Sequence, residues 1–273
     1  MTIDLIKGAV LGSPVSHSLS PLLHREAFQF LGIKGEYDRV EVSGGELASF
    51  FAKESLNYDY FSLTMPLKEE VLDLPVTVDE VARRIQSGNT LYQRADGWHL
   101  TSTDGIGLVA ALANRGLMKF SSVLVLGAGG TARAVVGALD EISDQIVVLG
   151  RTSTRREVIE SSITHANFDY QRWNDAPGFG DYDLVVNTTP AGAADLLADS
   201  ITTGECGLLF DVIYKPWPTV LASRWSDSGG EVLNGTELLM YQAIAQLKLV
   251  LNRSINELAL ATHLRPILGK AIR

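Results

Sequence analysis

Apolar residues recur along this chain at two spacings, and the alternation between them divides it into strands and helices. Short apolar stretches rich in β-branched and aromatic residues predict strands at Leu5–Gly12, Glu36–Val42 and Tyr58–Leu63. Between them, Ser20–Leu31 and Gly45–Lys53 carry helical spacing. Asn89–Gln93 and Trp98–Thr101 read as a hairpin turned at Ala95-Asp96-Gly97. A helix is expected over Asp104–Asn114, stopped by Gly116. Strands follow at Val123–Leu126, Gln145–Leu149, Leu184–Asn187, Leu208–Val212 and Glu231–Leu233, and two helices, Thr236–Leu251 and Ile255–Leu268, close the chain. Strand and helix alternate on both sides of Gly116, which implies two α/β domains with a ligand cleft between them.

The sharpest local signal is SSVLVLGAGGTARAVVGALDEISDQIVVLGRTSTRR, from Ser121 to Arg156. Gly127, Gly129 and Ala132 have the G-x-G-x-x-G/A spacing between a buried strand and a helix. The first glycine allows a tight turn, the second a close approach of backbone to a pyrophosphate, and the small third residue close packing of helix on strand. The helix N-terminus then faces the phosphates. Where an NAD site usually places an acid at the end of the second strand, this chain has Arg151, Arg155 and Arg156. Cations there suit a 2′-phosphate, hence NADP, although they also suit a solvated helix start.

With 273 residues, 46 % hydrophobic and 20 % charged, the chain has the length and composition of a globular protein of about two domains. No apolar run reaches membrane-spanning length, the C-terminal one being interrupted by Gln246 and Lys248. Asp4 and Lys7 do not fit an export signal. A net charge of −9 argues against nucleic-acid partners, and the single Cys206 against a disulfide or a cysteine metal site. The expected protein is cytoplasmic, metal-free and off the membrane.

Candidate chemistry gathers in four further places. The loop Gly12-Ser13-Pro14-Val15-Ser16-His17-Ser18-Leu19-Ser20-Pro21 is dense in hydroxyls, and Ser20 before Pro21 reads first as a helix N-cap. Lys68, after Phe61-Ser62-Leu63-Thr64-Met65-Pro66-Leu67, is either a solvated lysine or a proton donor and acceptor at a strand end. Ser87–Thr90 and Thr101–Gly105 form the third group, in which Asp104 also suits a helix cap. Gln242 lies in the helix after Asn234-Gly235-Thr236. With no zinc-ligand cluster and no tyrosine–lysine pair beside the glycine turn, Lys68 and Asp104 remain as the proton-handling pair.

Taken together, these segments resemble the shikimate dehydrogenase family over essentially the whole chain. The family's G-x-P-x-x-H-S-x-S-P loop is similar to Gly12–Pro21, which implies that Ser18 and Ser20 hold a substrate carboxylate. Its V-T-x-P-x-K segment resembles Leu63–Lys68, implying Thr64 as a ligand contact and Lys68 as the catalytic lysine. The resemblance makes Asn89 a hydroxyl contact, Asp104 the second catalytic group and a substrate contact, and brings in Tyr214 from the D-x-x-Y-x-P-x-x-T run Asp211–Thr219. Gly235 and Gln242 fit G-x-x-x-L-x-x-Q, with Gln242 on the substrate. The implied cofactor contacts are Gly127, Ala128, Gly129, Gly130, Thr131, Ala132, Arg151, Thr152, Arg155, Thr188, Ile213 and Gly235.

Three positions depart from the pattern: Ser62 and Ser102 stand where the family usually has asparagine, and Gly150 opens the N-R-T-x-x-R segment. The resemblance implies an N-terminal substrate domain over 1–104, completed by the C-terminal helices at 237–273, and a Rossmann-like NADP domain over 105–236. It implies reversible NADPH-dependent reduction of 3-dehydroshikimate to shikimate by a monomer or homodimer. The rival readings are a quinate/shikimate dehydrogenase using NAD and a catalytically silent nucleotide-sensing module.

Overall fold

The computed structural model describes residues 5–173, 178–202, 204 and 206–273. The chain forms two compact units, one from Met1–Gly107 with Leu239–Ala271, the other from Leu108–Leu238 with Ile272–Arg273. The α/β class expected from the alternating pattern is the one observed.

In the first unit the chain runs β1 (Ile6–Gly12), α1 (Ser20–Phe30), β2 (Gly35–Glu41), α2 (Leu47–Glu54), β3 (Tyr60–Leu63), α3 (Leu67–Glu70), β4 (Thr77–Val78), α4 (Glu80–Ile85), β5 (Thr90–Arg94) and β6 (Gly97–Thr101). These strands form one sheet in the order β2-β1-β3-β5-β6-β4. β1 is parallel to both its neighbours, whereas β5 runs antiparallel to β3 and β6. One face packs Ala9, Leu11, Phe61, Leu63, Leu91 and Leu100 into a common core. On the other face a Cβ at Gly8 would clash with the rings of Tyr60 and Tyr37, so only glycine admits both tyrosines there. His24 of α1 stacks on Tyr37 with ring centroids 4.0 Å apart, and its Nδ1 lies 2.8 Å from the Tyr60 hydroxyl. Burial pushes the His24 imidazole down to about 3, so it stays neutral.

Helix α5 (Asp104–Ala113) follows β6. Gly116, at φ +76°, ends the turn after it, with Leu117 N–H donating to the Leu112 carbonyl at 3.1 Å. The closing helices α9 (Gly235–Leu251) and α10 (Glu257–Ala271) return to the first unit, where Phe30 of α1 stacks on His263 of α10 at 4.8 Å.

The second unit contains β7 (Phe120–Leu126), α6 (Gly130–Leu139), β8 (Ser143–Gly150), α7 (Arg156–Glu160), β9 (Asn167–Arg172), β10 (Leu184–Asn187), β11 (Leu208–Asp211), α8 (Val220–Asp227) and β12 (Glu231–Asn234). Its six strands are all parallel in the order β12-β11-β10-β7-β8-β9. That is the doubly wound order in which the direction of progression reverses between β7 and β10, the place where such sheets take their ligand. Continuous apolar strands such as Val123–Leu126 and Leu184–Val186 are fully buried, as a sheet covered on both faces requires.

Among the described elements, β4, α4, β9 and α8 lie outside the sequence expectation. The short β4 with α4, and strand β9, carry too few regularly spaced apolar residues to announce themselves. Ser20 is a correction: it is the first residue of α1, Leu19 is the N-cap, and no side chain caps the helix. The Leu23 N–H that a Ser20 cap would take is already held by the Leu19 carbonyl at 3.0 Å. Ser20 N–H instead donates to Ser18 Oγ at 3.2 Å.

Candidate active site

Sheet topology in the first unit gathers the candidate residues at one edge. β1 and β3 are parallel neighbours, so the loops leaving them lie side by side, and Ser13 N–H donates to the Met65 carbonyl at 3.0 Å. A Cβ on Gly12 would collide with the Thr64 methyl, so glycine lets the serine loop approach the Thr64 turn. Arg39 of β2 clamps that loop by donating from Nε and Nη2 to the Ser18 carbonyl at 2.9 and 2.7 Å. Because β5 runs antiparallel to β3, its start returns to the same edge, and the end of β6 pairs there as well, Thr101 opposite Thr90. Lys68 on α3, Asn89 before β5 and Asp104 opening α5 therefore converge from three segments.

Lys68 Nζ donates to Asp104 Oδ2 at 2.5 Å, and Asn89 Nδ2 donates to Asp104 Oδ1 at 2.7 Å. The Lys68 side chain is 17 % exposed and that of Asp104 8 %, so both are largely enclosed. Asn89 Oδ1 accepts from the Thr103 backbone N–H and from Thr90 Oγ1, both at 2.7 Å. A backbone N–H can only donate, so the amide oxygen must face Thr103 and the NH₂ must face Asp104. That NH₂ also lies 3.3 Å from Gln242 Oε1, while Gln242 Nε2 donates to the Leu239 carbonyl at 2.8 Å. Asp104, read as a possible helix cap, here spends both oxygens on side chains. The result is a preorganised ammonium with a polar shelf beside it, suited to exchanging a proton with a hydroxyl.

A second layer was not visible in the sequence. Gln246, one turn beyond Gln242 and fully buried, accepts from Ser62 Oγ at 2.8 Å and donates to Thr90 Oγ1 at 2.8 Å. Its signal was the glutamine at i+4 on an otherwise apolar helix face. Ser62 itself accepts from the Tyr37 hydroxyl at 2.5 Å. The serine thus has protein partners in both directions, and burial holds Tyr37 as the neutral phenol.

In the second unit the glycine turn is built from residues with separable tasks. Gly127 sits at φ +107°, and a Cβ there would lie 2.7 Å from Thr188 Oγ1, so the position needs glycine for backbone and for space. Thr188 pins the turn, its N–H and its Oγ1 donating to the Leu126 carbonyl at 2.9 and 2.7 Å. A Cβ at Gly129, in contrast, would meet nothing in the protein within 4 Å, and no side chain caps the helix that starts at Gly130. Ala132 is fully buried. An open second glycine beneath an uncapped helix end fits a pyrophosphate.

Arg151 and Thr152 are exposed after β8, and Arg155 Nη1 lies 3.5 Å from the Ala128 carbonyl, bringing a guanidinium towards the turn. Arg156 is occupied differently, with Glu160 at 3.5 Å and its guanidinium near the Phe168 ring. Ile213 and Gly235 meet through Gly235 N–H, which donates to the Ile213 carbonyl at 3.1 Å. A Cβ on Gly235 would strike the Val212 carbonyl. Tyr214 is half-buried in this same unit. The Asp211–Thr219 run closes on itself: Thr219 Oγ1 donates to Asp211 Oδ2 at 2.7 Å and caps α8 by accepting from Ala222 N–H at 3.0 Å. Burial raises the Asp211 carboxyl, and the hydrogen bonds from Thr219, Ile213 and Asn187 work against it.

Among the described residues no cluster of three or more His, Cys, Asp or Glu could hold a metal, and no helix is long and apolar enough to cross a membrane. A doubly wound unit with an open glycine turn and a second α/β unit with a buried lysine–carboxylate pair define a dinucleotide-dependent oxidoreductase class.

Comparison with known proteins narrows the class. Residues 10–91 match the shikimate dehydrogenase substrate binding domain. A shikimate dehydrogenase (NADP(+)) of Thermosynechococcus vestitus is 33 % identical over 271 residues, covering 95 % of each chain. The crystal structure of Mycobacterium tuberculosis shikimate dehydrogenase superposes with TM-score 0.85 at 31 % identity, covering 96 % of this chain and 99 % of that one. The shikimate 5-dehydrogenase of Thermus thermophilus, solved in complex with NADP(H) and shikimate, gives 0.82 at 29 % identity over 96 % and 99 % of the two chains. The chain belongs to the shikimate dehydrogenase family.

Proposed function

We propose that this protein catalyses the reversible NADP-dependent interconversion of 3-dehydroshikimate and shikimate, with Lys68 and Asp104 handling the proton. The observation that carries the reading is the Lys68–Asp104–Asn89 arrangement, an ammonium held at 2.5 Å by a carboxylate whose other oxygen is also occupied. The similarity to NADP-dependent relatives supports it.

When bound, NADPH supplies the hydride that reduces the ketone carbon. Lys68 donates a proton from Nζ to the oxygen that becomes the hydroxyl, and takes it back in the oxidation. Asp104 keeps the ammonium aimed and its charge balanced. Asn89, fixed by Thr103 and Thr90, offers its amide to a ring hydroxyl together with Gln242, Thr64 and Tyr214. Ser18 and Ser20 receive the substrate carboxylate, on the loop that Arg39 holds. Gly127–Ala132 with Thr188, Ile213 and Gly235 would hold the cofactor, and Arg151, Thr152 and Arg155 would take its 2′-phosphate.

The substrate residues belong to the first unit apart from Tyr214, and the cofactor residues to the second. A single cysteine supports function in a reducing cytoplasm, and a monomer or homodimer is the assembly proposed, which light scattering measures directly. Initial rates of the purified protein with shikimate or quinate against NADP⁺ or NAD⁺ test the assignment. Shikimate with NADP⁺ should give the highest kcat/KM of the four pairs. Faster oxidation of quinate, or preference for NAD⁺, would replace it, and no oxidation of either alcohol would overturn it.

A further inference from the structure

Gly150 is where the arginine loop leaves β8, and in the N-R-T-x-x-R pattern an asparagine would stand there. The site explains the glycine. A Cβ at Gly150 would fall inside the hydroxyl group of Tyr170, so no other residue fits while that tyrosine holds its place. Tyr170 comes from β9, two residues along from the pairing partner of Gly150, Arg172, and is 8 % exposed. Its hydroxyl donates to the Thr152 carbonyl at 2.6 Å. The ring therefore packs against Gly150 and the hydroxyl ties down Thr152, bracketing Arg151 between two fixed points. Burial raises the Tyr170 phenol, and the Arg155 charge acts against that rise.

We propose that Tyr170 is a positioning residue for the cofactor's 2′-phosphate: it fills the space vacated at Gly150 and fixes the Arg151–Arg155 loop in the conformation that receives the phosphate. This rests on the NADP reading above. The bond is a neutral hydroxyl-to-carbonyl contact, so its loss should weaken phosphate binding moderately without touching proton transfer. The two positions form a coupled pair: glycine with tyrosine, or a larger residue at 150 with a smaller one at 170.

Calorimetric titration of the whole protein with NADP⁺, NAD⁺ and 2′,5′-ADP, alongside thermal melting, tests this without relying on turnover. Tyr170→Phe should raise the Kd for NADP⁺ and 2′,5′-ADP about threefold to tenfold, the effect of one hydrogen bond, and leave that for NAD⁺ within about twofold. Gly150→Asn should weaken NADP⁺ binding at least as much, and adding Tyr170→Ala should restore part of it, a coupling that independent sites do not show. Arg151→Ala reports on the NADP assignment itself. If it raises the NADP⁺ Kd while Tyr170→Phe changes nothing, the role of Tyr170 is refuted and the assignment stands. Equal weakening of NAD⁺ and NADP⁺ by Tyr170→Phe, or a Gly150→Asn protein that binds NADP⁺ like the parent, also overturns it. If Arg151→Ala leaves NADP⁺ and NAD⁺ bound equally well, the phosphate site lies elsewhere and the proposal falls with it.

Discussion

Replacing Asp104 by asparagine removes one negative charge and one acceptor from the centre of the site while keeping the side-chain volume. In the native protein both carboxylate oxygens are used, Oδ2 by Lys68 at 2.5 Å and Oδ1 by Asn89 at 2.7 Å, and the residue is 5 % exposed. Asn89 cannot turn to help, because its oxygen is held by Thr103 N–H and Thr90 Oγ1. An asparagine at 104 has a single oxygen, so its own NH₂ must confront either the Lys68 ammonium or the Asn89 amide, donor against donor. A hydrogen bond to a charged group contributes about 1.5–3 kcal/mol. Lost from the aligned state of Lys68, that amounts to a fall of about 10–150-fold in kcat/KM. The assay is initial-rate NADPH formation over a range of shikimate at saturating NADP⁺, with circular dichroism to confirm the fold. A folded Asp104→Asn protein with kcat/KM within twofold of the parent would refute the claim that Asp104 orients the proton donor.

Two predictions concern the buried tyrosine–histidine cluster in the first unit. His24 is held down to about 3 by burial, whereas in the unfolded chain it titrates near its usual value. The unfolded state therefore binds the extra proton as pH falls below about 6.5, and stability declines in that direction. From pH 7 to pH 5 this group should cost about 2 kcal/mol. Urea titrations of parent and His24→Gln should show the variant lacking that part of the slope, and parallel slopes would contradict it. Gly8→Ala drives a methyl against the Tyr37 and Tyr60 rings, and overpacking of this kind costs about 1–3 kcal/mol, read as a lowered Tm. An unchanged Tm would show that the rings move aside freely.

What the chain made legible followed from local rules. Gly127, Gly129 and Ala132 announce themselves by spacing alone, and in the structure Gly127 is bent to φ +107° and Ala132 is fully buried. Capping preference is a local statistic, and it fails at Ser20 because the Leu23 N–H is already satisfied by the backbone. Contacts between distant segments come from the fold and not from local spacing, and the pairing of Lys68 with Asp104 is expected only by elimination and by the family resemblance. Lys68 and Asp104 are 36 residues apart and meet only because β5 doubles back antiparallel beside β3. Gln246 lies 184 residues from Ser62, and nothing in either segment announces the other. Gly150 departs from the arginine motif, and the reason lies in the β8–β9 register, which puts Tyr170 over it.

The central claim is that Lys68 moves the proton, and it is tested most directly by comparing the parent with Lys68→Ala for kcat and shikimate KM in NADP⁺ reduction. The account predicts a kcat lower by about 10²–10⁴-fold, with KM much less changed, since the carboxylate and ring hydroxyls keep their partners. Turnover close to that of the parent, in a protein that still binds shikimate and NADP⁺, would contradict it.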